Sequence, residues 1–467
     1  MLDPRTIRAN PERLKEIVRL RKVDPAKADV DRWLALDERR RALQTEIDAV
    51  NVEKKQVAGL GRTDPDAARR KGQELRERSK ELDDAYDAVV AEQAAIMDWL
   101  PNWIDEGMPE GRDEEDNVEL CAWVPVTGYL DAGKLGRGNT SAPHMPQSPV
   151  HAEGGFEPLH YSELGERLGG VDTLQGGKVS GSRFAYILGD VALMQMAINR
   201  LLTDELVRRG YTPIVPPLLV RERSLYGTSH FPEGRDQVYE IKTENVEEPL
   251  PLFLVGSSEP SNFSYFMDRT LDVAELPVRL FASTPCFRSE AGSWGKDVKG
   301  IKRVHQFDKI EMNAVCTDEQ SAGLYAEFGE INEWLLQQLQ LPYRIVDKCT
   351  GDAGYLATHR QRDVEVWMSG SREFMEAMTD TNTTDYQARR LNIRYRDEDG
   401  TLRYAHTVND TGVAMGRMLI AIMDNYQQPD GSVKVPPVLR GYMGRDVLAP
   451  KQQATSNRPG DRRSASG

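Results

Sequence analysis

Between Thr284 and Met312 the chain reads TPCFRSEAGSWGKDVKGIKRVHQFDKIEM, and much of its chemistry is concentrated there. Phe287, Arg288 and Glu290 open a loop rich in glycine and cations, which closes on an alternating run through His305, Phe307, Lys309 and Glu311. Arg288 and Glu290 are two apart, so an extended strand would send both side chains from one face. A guanidinium grips phosphate oxygens through paired hydrogen bonds, and a carboxylate accepts from an amino group. Phe307 offers a flat apolar surface to a base. A lone FRSE tetrapeptide is more often an exposed hairpin whose Arg and Glu pair with each other. The HQFDKIE run at a fixed offset argues instead for a nucleotide site on a strand–loop–strand hairpin.

A second concentration lies in GVAMGRMLIAIMDNYQQPDG, with Gly412, Gly416 and Arg417, followed by KVPPVLRGYMG. The spacing predicts a helix over 412–426 that opens with glycines. Glycine lets backbone approach a ligand, and Arg417 near a helix start adds a cation to a dipole that already favours anions.

These residues need elements to position them. From about residue 31 to 100 the apolar positions follow steps of three and four. Trp33, Leu36, Leu43, Ile47, Val50 and Val57 form one run, with Arg40 and Lys54 interrupting. Leu75, Leu82, Tyr86, Val89, Ile96 and Leu100 form the other, with Ser79 and Gln93 as gaps. That is an a/d seam of period near 3.5. Gly59 to Pro65 supplies the turn, so two helices should fold back as an antiparallel coiled-coil arm. Its basic residues, Arg39, Arg40, Lys54, Lys55, Arg69 and Arg70 among them, are mixed with about as many acids. On their own they read as a solvated surface.

Residues 190–209 predict an amphipathic helix, followed by a strand in GYTPIVPPLLV. Strands are expected at 277–290 and 304–315. Composition and patterning divide the chain into an N-terminal helical domain (1–116), a Gly/Pro/Ser-rich linker or insertion (117–159), a domain of alternating helical and strand patterns (160–450) and a disordered polar tail (451–467).

With 467 residues the chain has room for two or three domains of roughly 100–200 residues each. No apolar run approaches the ~20 residues that span a bilayer. The N-terminus lacks the basic-then-apolar order of a signal peptide, so a cytoplasmic location is expected. The four cysteines are scattered, without the close spacing of a zinc site. A formal net charge of −14 argues against indiscriminate nucleic-acid binding. It leaves room for a folded RNA docked on a local basic surface.

The 284–312 segment closely resembles motif 2 of the class II aminoacyl-tRNA synthetases, and within them the seryl-tRNA synthetases. With gaps the resemblance runs from Met1 to about Gly444. The 412–444 segment resembles motif 3, and 190–220 resembles motif 1, which builds a dimer interface in that class. The resemblance implies an α+β fold: a class II catalytic domain on a mostly antiparallel sheet flanked by helices, with the N-terminal arm reaching tRNA. It implies activation of serine by ATP, transfer to tRNA(Ser), Mg²⁺ as cofactor and a homodimer. Carried over by position, Arg288 would hold the α-phosphate, Glu290 the adenine amino group and Arg303 the outer phosphates. Phe307 would stack on adenine, and Arg417 would contact phosphate opposite Arg288. Glu376 and Thr379 would hold Mg²⁺. Glu311 would bind the α-ammonium, with Glu259 supporting a pocket that also takes in Ser257, Asn409 and Thr411. Arg39, Arg40, Lys54, Lys55, Arg69 and Arg70 would meet tRNA.

The amino acid pocket departs from the family pattern. Thr-x-Glu appears as Ser257-Ser258-Glu259, Asn-Gly-Ser-Gly as Asn409-Asp410-Thr411-Gly412, and Glu-Ile-Ser-Ser-Cys-Ser-Asn as Glu376-Ala377-Met378-Thr379-Asp380-Thr381-Asn382. Ser257 loses a methyl where Thr411 gains one, which keeps volume if both line one pocket. Asp380 and Asp410 add carboxylates. Either they face solvent or supporting partners, or they tune the pocket for a serine-like amino acid with an extra donor or a cationic group. The alternatives to serine charging are a paralogue using a serine analogue, delivery of the amino acid to a carrier protein, and a catalytically dead binding protein.

Overall fold

In the computed structural model, residues 1–60, 64–130, 145–146, 149–242, 251–292 and 300–451 are described. Helices α1 (Pro4–Ala9) and α2 (Pro11–Leu20) each begin on a proline, whose fixed φ and missing N–H suit a first turn. Helices α3 (Val30–Leu60) and α4 (Pro65–Met97) run for 31 and 33 residues, about 45–50 Å each at 1.5 Å per residue. Arg32 pairs with Glu92 at 2.7 Å, and the Gln93 amide donates to Asp37 at 3.4 Å. The start of one helix therefore lies beside the end of the other, and the arm is antiparallel. Trp33, Leu36, Leu43, Val50, Leu75 and Ile96 are buried along the seam, the positions that steps of three and four select. The turn residues 61–63 lie outside the described residues; Asp64 caps the Ala67 amide at 3.0 Å.

Arg40, an interruption in the seam, is accommodated by charge. The buried Asp37 carboxylate receives Arg8 at 3.0 Å, Arg40 at 3.2 Å and Arg41 at 3.1 Å. At the root of the arm, Trp33, Leu36, Ile96, Met97 and Leu100 share a core with Leu356, Ala357 and Tyr386 from the other half of the chain.

Nine strands among the described residues form one sheet. In chain order they are β1 (Val118–Val124), β2 (Gly128–Tyr129), β3 (Thr212–Pro213), β4 (Val278–Phe287), β5 (Gln306–Cys316), β6 (Tyr343–Asp347), β7 (Arg360–Met368), β8 (Glu373–Thr384) and β9 (His406–Ala414). Across the sheet they run β2-β1-β6-β7-β8-β9-β5-β4-β3, and every neighbouring pair is antiparallel except β4 with β3. Helices α5 (Gly189–Arg208), α6 (Asp318–Gln338) and α8 (Met415–Tyr426) supply apolar faces to the main core, with α7 (Tyr386–Leu391) between the last two in sequence.

Three expectations change. Residues 118–129, assigned to a linker, supply two strands of the main sheet, where β1 pairs with β6. The Gly/Pro/Ser-rich stretch that follows drew β1 into the linker, although VELCAWV is apolar apart from Glu119, which is buried against Arg344 at 3.3 Å. Of the rest of that linker, 131–144 and 147–148 fall outside the described residues, as does the tail beyond Lys451. The strand expected in GYTPIVPPLLV is reduced to Thr212–Pro213 and Leu219–Arg221, in different sheets, because Pro216 and Pro217 cannot donate to a ladder. The helix expected from residue 412 starts at Met415, and Gly412 belongs to β9. No helix among the described residues is long and apolar enough to cross a membrane. All four cysteines are free.

Candidate active site

One cavity of about 210 Å³ opens over the centre of the sheet. Every residue that the sequence reading assigned to ATP, Mg²⁺ or the amino acid lines it: Arg288, Glu290 and Arg303 beside the β4–β5 loop, Phe307 and Glu311 on β5, Glu376 and Thr379 on β8, Asn409 and Thr411 on β9, Arg417 on α8, and Ser257 and Glu259 from the segment before β4.

Arg288 emerges just past β4. Its Nε donates to the Gly256 carbonyl at 3.2 Å, and its guanidinium lies 5.4 Å from the centre of the Phe307 ring. The strand geometry proposed for Arg288 and Glu290 does not hold. β4 ends at Phe287, and Glu290 adopts the left-handed region with φ of 52°. A turned backbone, not strand periodicity, brings both residues to the cavity. The Glu290 carboxylate meets Arg303 at 2.8 Å, so these two assigned residues are partners of each other. Arg417 sits in the first turn of α8. A Cβ on its neighbour Gly416 would lie 2.8 Å from the Ile301 carbonyl oxygen, so this close approach requires glycine.

On β5, Phe307, Lys309 and Glu311 face the cavity while Ile310 and Met312 enter the core below. Lys309 is 4% exposed, and its Nζ lies 2.6 Å from Glu311, 3.0 Å from Ser257 Oγ and 3.3 Å from Thr411 Oγ1. The two hydroxyls whose methyl groups were exchanged therefore do line one pocket. Beneath them Glu259 accepts from Gln387 at 2.7 Å and from Asn409 at 3.3 Å. Burial, reinforced by Glu311, pushes the Glu259 carboxyl up to about 8. Burial next to Arg288 and Lys309 takes His230 down to about 3, so its ring is neutral.

At the opposite end, Arg417 donates to Glu376 at 2.9 Å. The Thr379 hydroxyl donates to Asp363 at 2.8 Å and lies 3.4 Å from Glu376. Burial opposes ionisation of Glu376, yet Arg417 and Lys348 together hold it below the usual carboxylate range. Lys348 bridges Asp352 and Asp363, each at 2.9 Å. Among the described residues no group of three or more His, Cys, Asp or Glu side chains could hold a metal alone. The oxygen-only donors of Glu376 and Thr379 nevertheless suit Mg²⁺, which takes one or two protein oxygens and completes its shell with phosphates and water.

Asp380 and Asp410 do not enter the cavity. They are direct register partners on β8 and β9, and side chains alternate along a strand. Thr379, Thr381, Asn409 and Thr411 thus face the ligand space, and the two aspartates point to α6 behind it. Both are fully buried. The Asn332 amide donates to Asp380 at 2.7 Å and to Asp410 at 3.0 Å, and Arg362 pairs with Asp380 at 2.8 Å. Burial and the neighbouring Asp380 charge push the Asp410 carboxyl well above its ordinary value, which favours its neutral form. The possibility that these carboxylates recognise a cationic side chain is overturned.

Sequence reasoning missed Lys309 and Gln387. Lys309 had a signal, being two residues from both Phe307 and Glu311. Gln387 had none, since only the fold carries α7 to Glu259. On the arm, Lys55, Arg69 and Arg70 are exposed, Arg39 is exposed and 3.8 Å from Glu46, and Lys54 is half-buried. Arg40 differs from the rest: Asp37 and Tyr86 hold its guanidinium against the seam.

Comparison with known proteins agrees with this geometry. Residues 239–426 match the tRNA synthetase class II core domain (G, H, P, S and T), and residues 1–104 match the seryl-tRNA synthetase N-terminal domain. The chain is 35% identical to the serine–tRNA ligase of Dictyoglomus turgidum and 38% identical to that of Acidothermus cellulolyticus, in each case over 97% of this chain and 100% of the relative. The crystal structure of the seryl-tRNA synthetase from Pyrococcus horikoshii complexed with ATP superposes with a TM-score of 0.85 at 33% identity, covering 97% of this chain and 100% of that one. Similarity of this depth along the whole chain, joined to a single cavity holding the motif 2 and motif 3 residues, places the protein in the seryl-tRNA synthetase family.

Proposed function

We propose that this chain activates serine with ATP to seryl-adenylate and transfers the seryl group to the 3′ end of tRNA(Ser). The observation that carries this reading is the confluence of Arg288, Phe307, Glu311 and Arg417 in one cavity. Phe307 gives adenine an apolar face, and the Glu290 carboxylate accepts from its amino group, which requires the Glu290–Arg303 contact to rearrange so that Arg303 can reach the outer phosphates. Arg288 and Arg417 hold the phosphates from opposite sides. Glu311, with Glu259 beneath it, takes the α-ammonium, so that the serine carboxylate faces the α-phosphorus. That carboxylate attacks phosphorus and pyrophosphate leaves. In the second step the terminal ribose hydroxyl of tRNA attacks the adenylate carbonyl and AMP leaves. Positioning and stabilisation of phosphoryl charge by the arginines are the protein's contribution, with no protein nucleophile. Mg²⁺ held by Glu376 and Thr379 would offset phosphate charge.

The arm serves as the tRNA contact through Arg39, Lys54, Lys55, Arg69 and Arg70, reading backbone and shape. Arg40 is left out because it is committed to Asp37. A homodimer is the assembly this reading favours. Met196 on α5 and Val215 after it are 65% and 98% exposed, an apolar surface that a second copy would cover. Amino-acid-dependent ATP–pyrophosphate exchange with serine, threonine, alanine, cysteine and 2,3-diaminopropionate tests the central claim. Serine should drive the fastest exchange. Exchange with the diamino acid but not serine would overturn it, and no exchange with any would favour a binding protein.

A further inference from the structure

The wall of the amino acid pocket nearest the N-terminal helices is a loop without regular structure. Tyr355, Ala357 and Thr358 of this loop line the cavity. Tyr355 sits at φ of 29°, which a non-glycine residue holds only when its surroundings impose it. A loop with no ladder must place its carbonyls elsewhere; here Thr358 gives its hydroxyl to Gly354 and its amide to Tyr355, and all six carbonyls meet donors from two residues of the N-terminal region. The Arg21 guanidinium, just past α2, donates to the carbonyls of Ala353 at 3.1 Å, Gly354 at 2.9 Å, Tyr355 at 2.8 Å and Thr358 at 3.1 Å. Asn102, five residues past α4, covers the other two. Its backbone amide donates to Leu356 at 2.7 Å and its side-chain amide to Ala357 at 2.9 Å. Six consecutive carbonyls, 353 to 358, are thus held from outside the catalytic half. The loop continues the chain of contacts inward: the Gly354 amide donates to Gln361 at 2.7 Å, and Gln361 donates to the cavity residue Thr381 at 3.2 Å.

We infer that Arg21 and Asn102 are positioning residues for the amino acid pocket, through which the root of the arm sets the loop 353–358 and hence the fit of serine. This rests on the reading of the cavity as a serine-activating site. Neither residue touches the cavity, and both flank the helices that carry the arm, so the same contacts join the arm's foot to the pocket.

The test uses the full chain, with Arg21→Met and the milder Arg21→Lys, in serine-dependent ATP–pyrophosphate exchange without tRNA. Arg21→Met should raise the KM for serine on the order of 10–100-fold, the scale of a small misplacement far from the chemistry. The KM for ATP should stay within a few-fold, and Arg21→Lys should recover part of the loss. Hydrogen exchange supplies a readout that does not need activity: amides 353–359 should exchange faster in Arg21→Met while the central strands β5 and β9 keep their protection. An unchanged serine KM, or equal changes in the serine and ATP constants, would overturn the inference, as would unchanged protection of 353–359. Absence of exchange in the unsubstituted protein would sink the proposed function instead, and loop protection would still decide the positioning role.

Discussion

Glu259 shows how one buried carboxyl ties binding to pH. Its value of about 8 means that at pH 7 roughly nine in ten are protonated. An ammonium beside it favours the ionised form, so serine binding at pH 7 should release close to one proton. Calorimetry in buffers of different ionisation enthalpy measures this, and proton uptake would contradict the assignment. Apparent serine affinity should rise with pH up to about 8. For stability the sign is opposite. A carboxyl whose folded value is raised favours the neutral fold, so its contribution falls as pH climbs from the ordinary glutamate range towards about 8. Glu259→Gln should therefore remove this pH dependence from the melting temperature while weakening serine. Behind the sheet the two aspartates should separate cleanly. Asp410→Asn imitates a protonated carboxyl and should leave stability within about 1 kcal/mol, whereas Asp380→Asn strands the Arg362 guanidinium and should cost about 3–5 kcal/mol. A larger loss for Asp410→Asn than for Asp380→Asn in chemical denaturation would show that the proton is on the other residue.

At the scale of elements, the arm and the sheet are separable in part. Trp33, Leu36, Ile96, Met97 and Leu100 belong to a core shared with the catalytic half, so removing all of 31–100 would damage more than tRNA contact. Excising 48–80 across a short turn spares that core with Val89 beside it, and the Asp37 cluster with Tyr86. Serine-dependent exchange should persist within a few-fold. The kcat/KM for charging tRNA should fall by at least about 100-fold, the loss of about two charge-assisted contacts at ~1.5–3 kcal/mol each. Equal charging by both proteins would refute the arm's role.

For the whole molecule, net charge and exposed apolar surface make two statements. The chain is acidic overall, at −14, yet its arm carries exposed cations, so only the tRNA step should respond strongly to salt. Between 50 and 200 mM salt the kcat/KM for charging should drop steeply while exchange changes little, since phosphate contacts on RNA release counterions. Met196 and Val215 are the exposed apolar residues to be covered. Met196→Glu should shift sedimentation from twice 52.6 kDa towards a single chain. A monomer before substitution would refute the dimer.

What the order of residues determined by itself was whatever depends on local period and on residue chemistry. The three–four spacing over 31–100 decided the arm, and alternation through Phe307 and Glu311 decided the face of β5. The motif residues around 288 and 417 identified the nucleotide chemistry, because guanidinium, carboxylate and aromatic groups at those offsets suit phosphate and adenine. The tertiary structure decided what depends on distant partners. Glu119 looked like linker until Arg344 buried it in the sheet. Glu290 looked like a strand residue until its backbone turned left-handed. Asp380 and Asp410 left two readings open, supporting partners or pocket, until pairing in register across β8 and β9 turned them to the far face. Arg21, unmarked in sequence, gained meaning only when the fold brought six loop carbonyls to it and Asn102. Which strand pairs with which, and which charges share a buried contact, depend on segments that lie tens to hundreds of residues apart in the chain, and no local pattern encodes those partners.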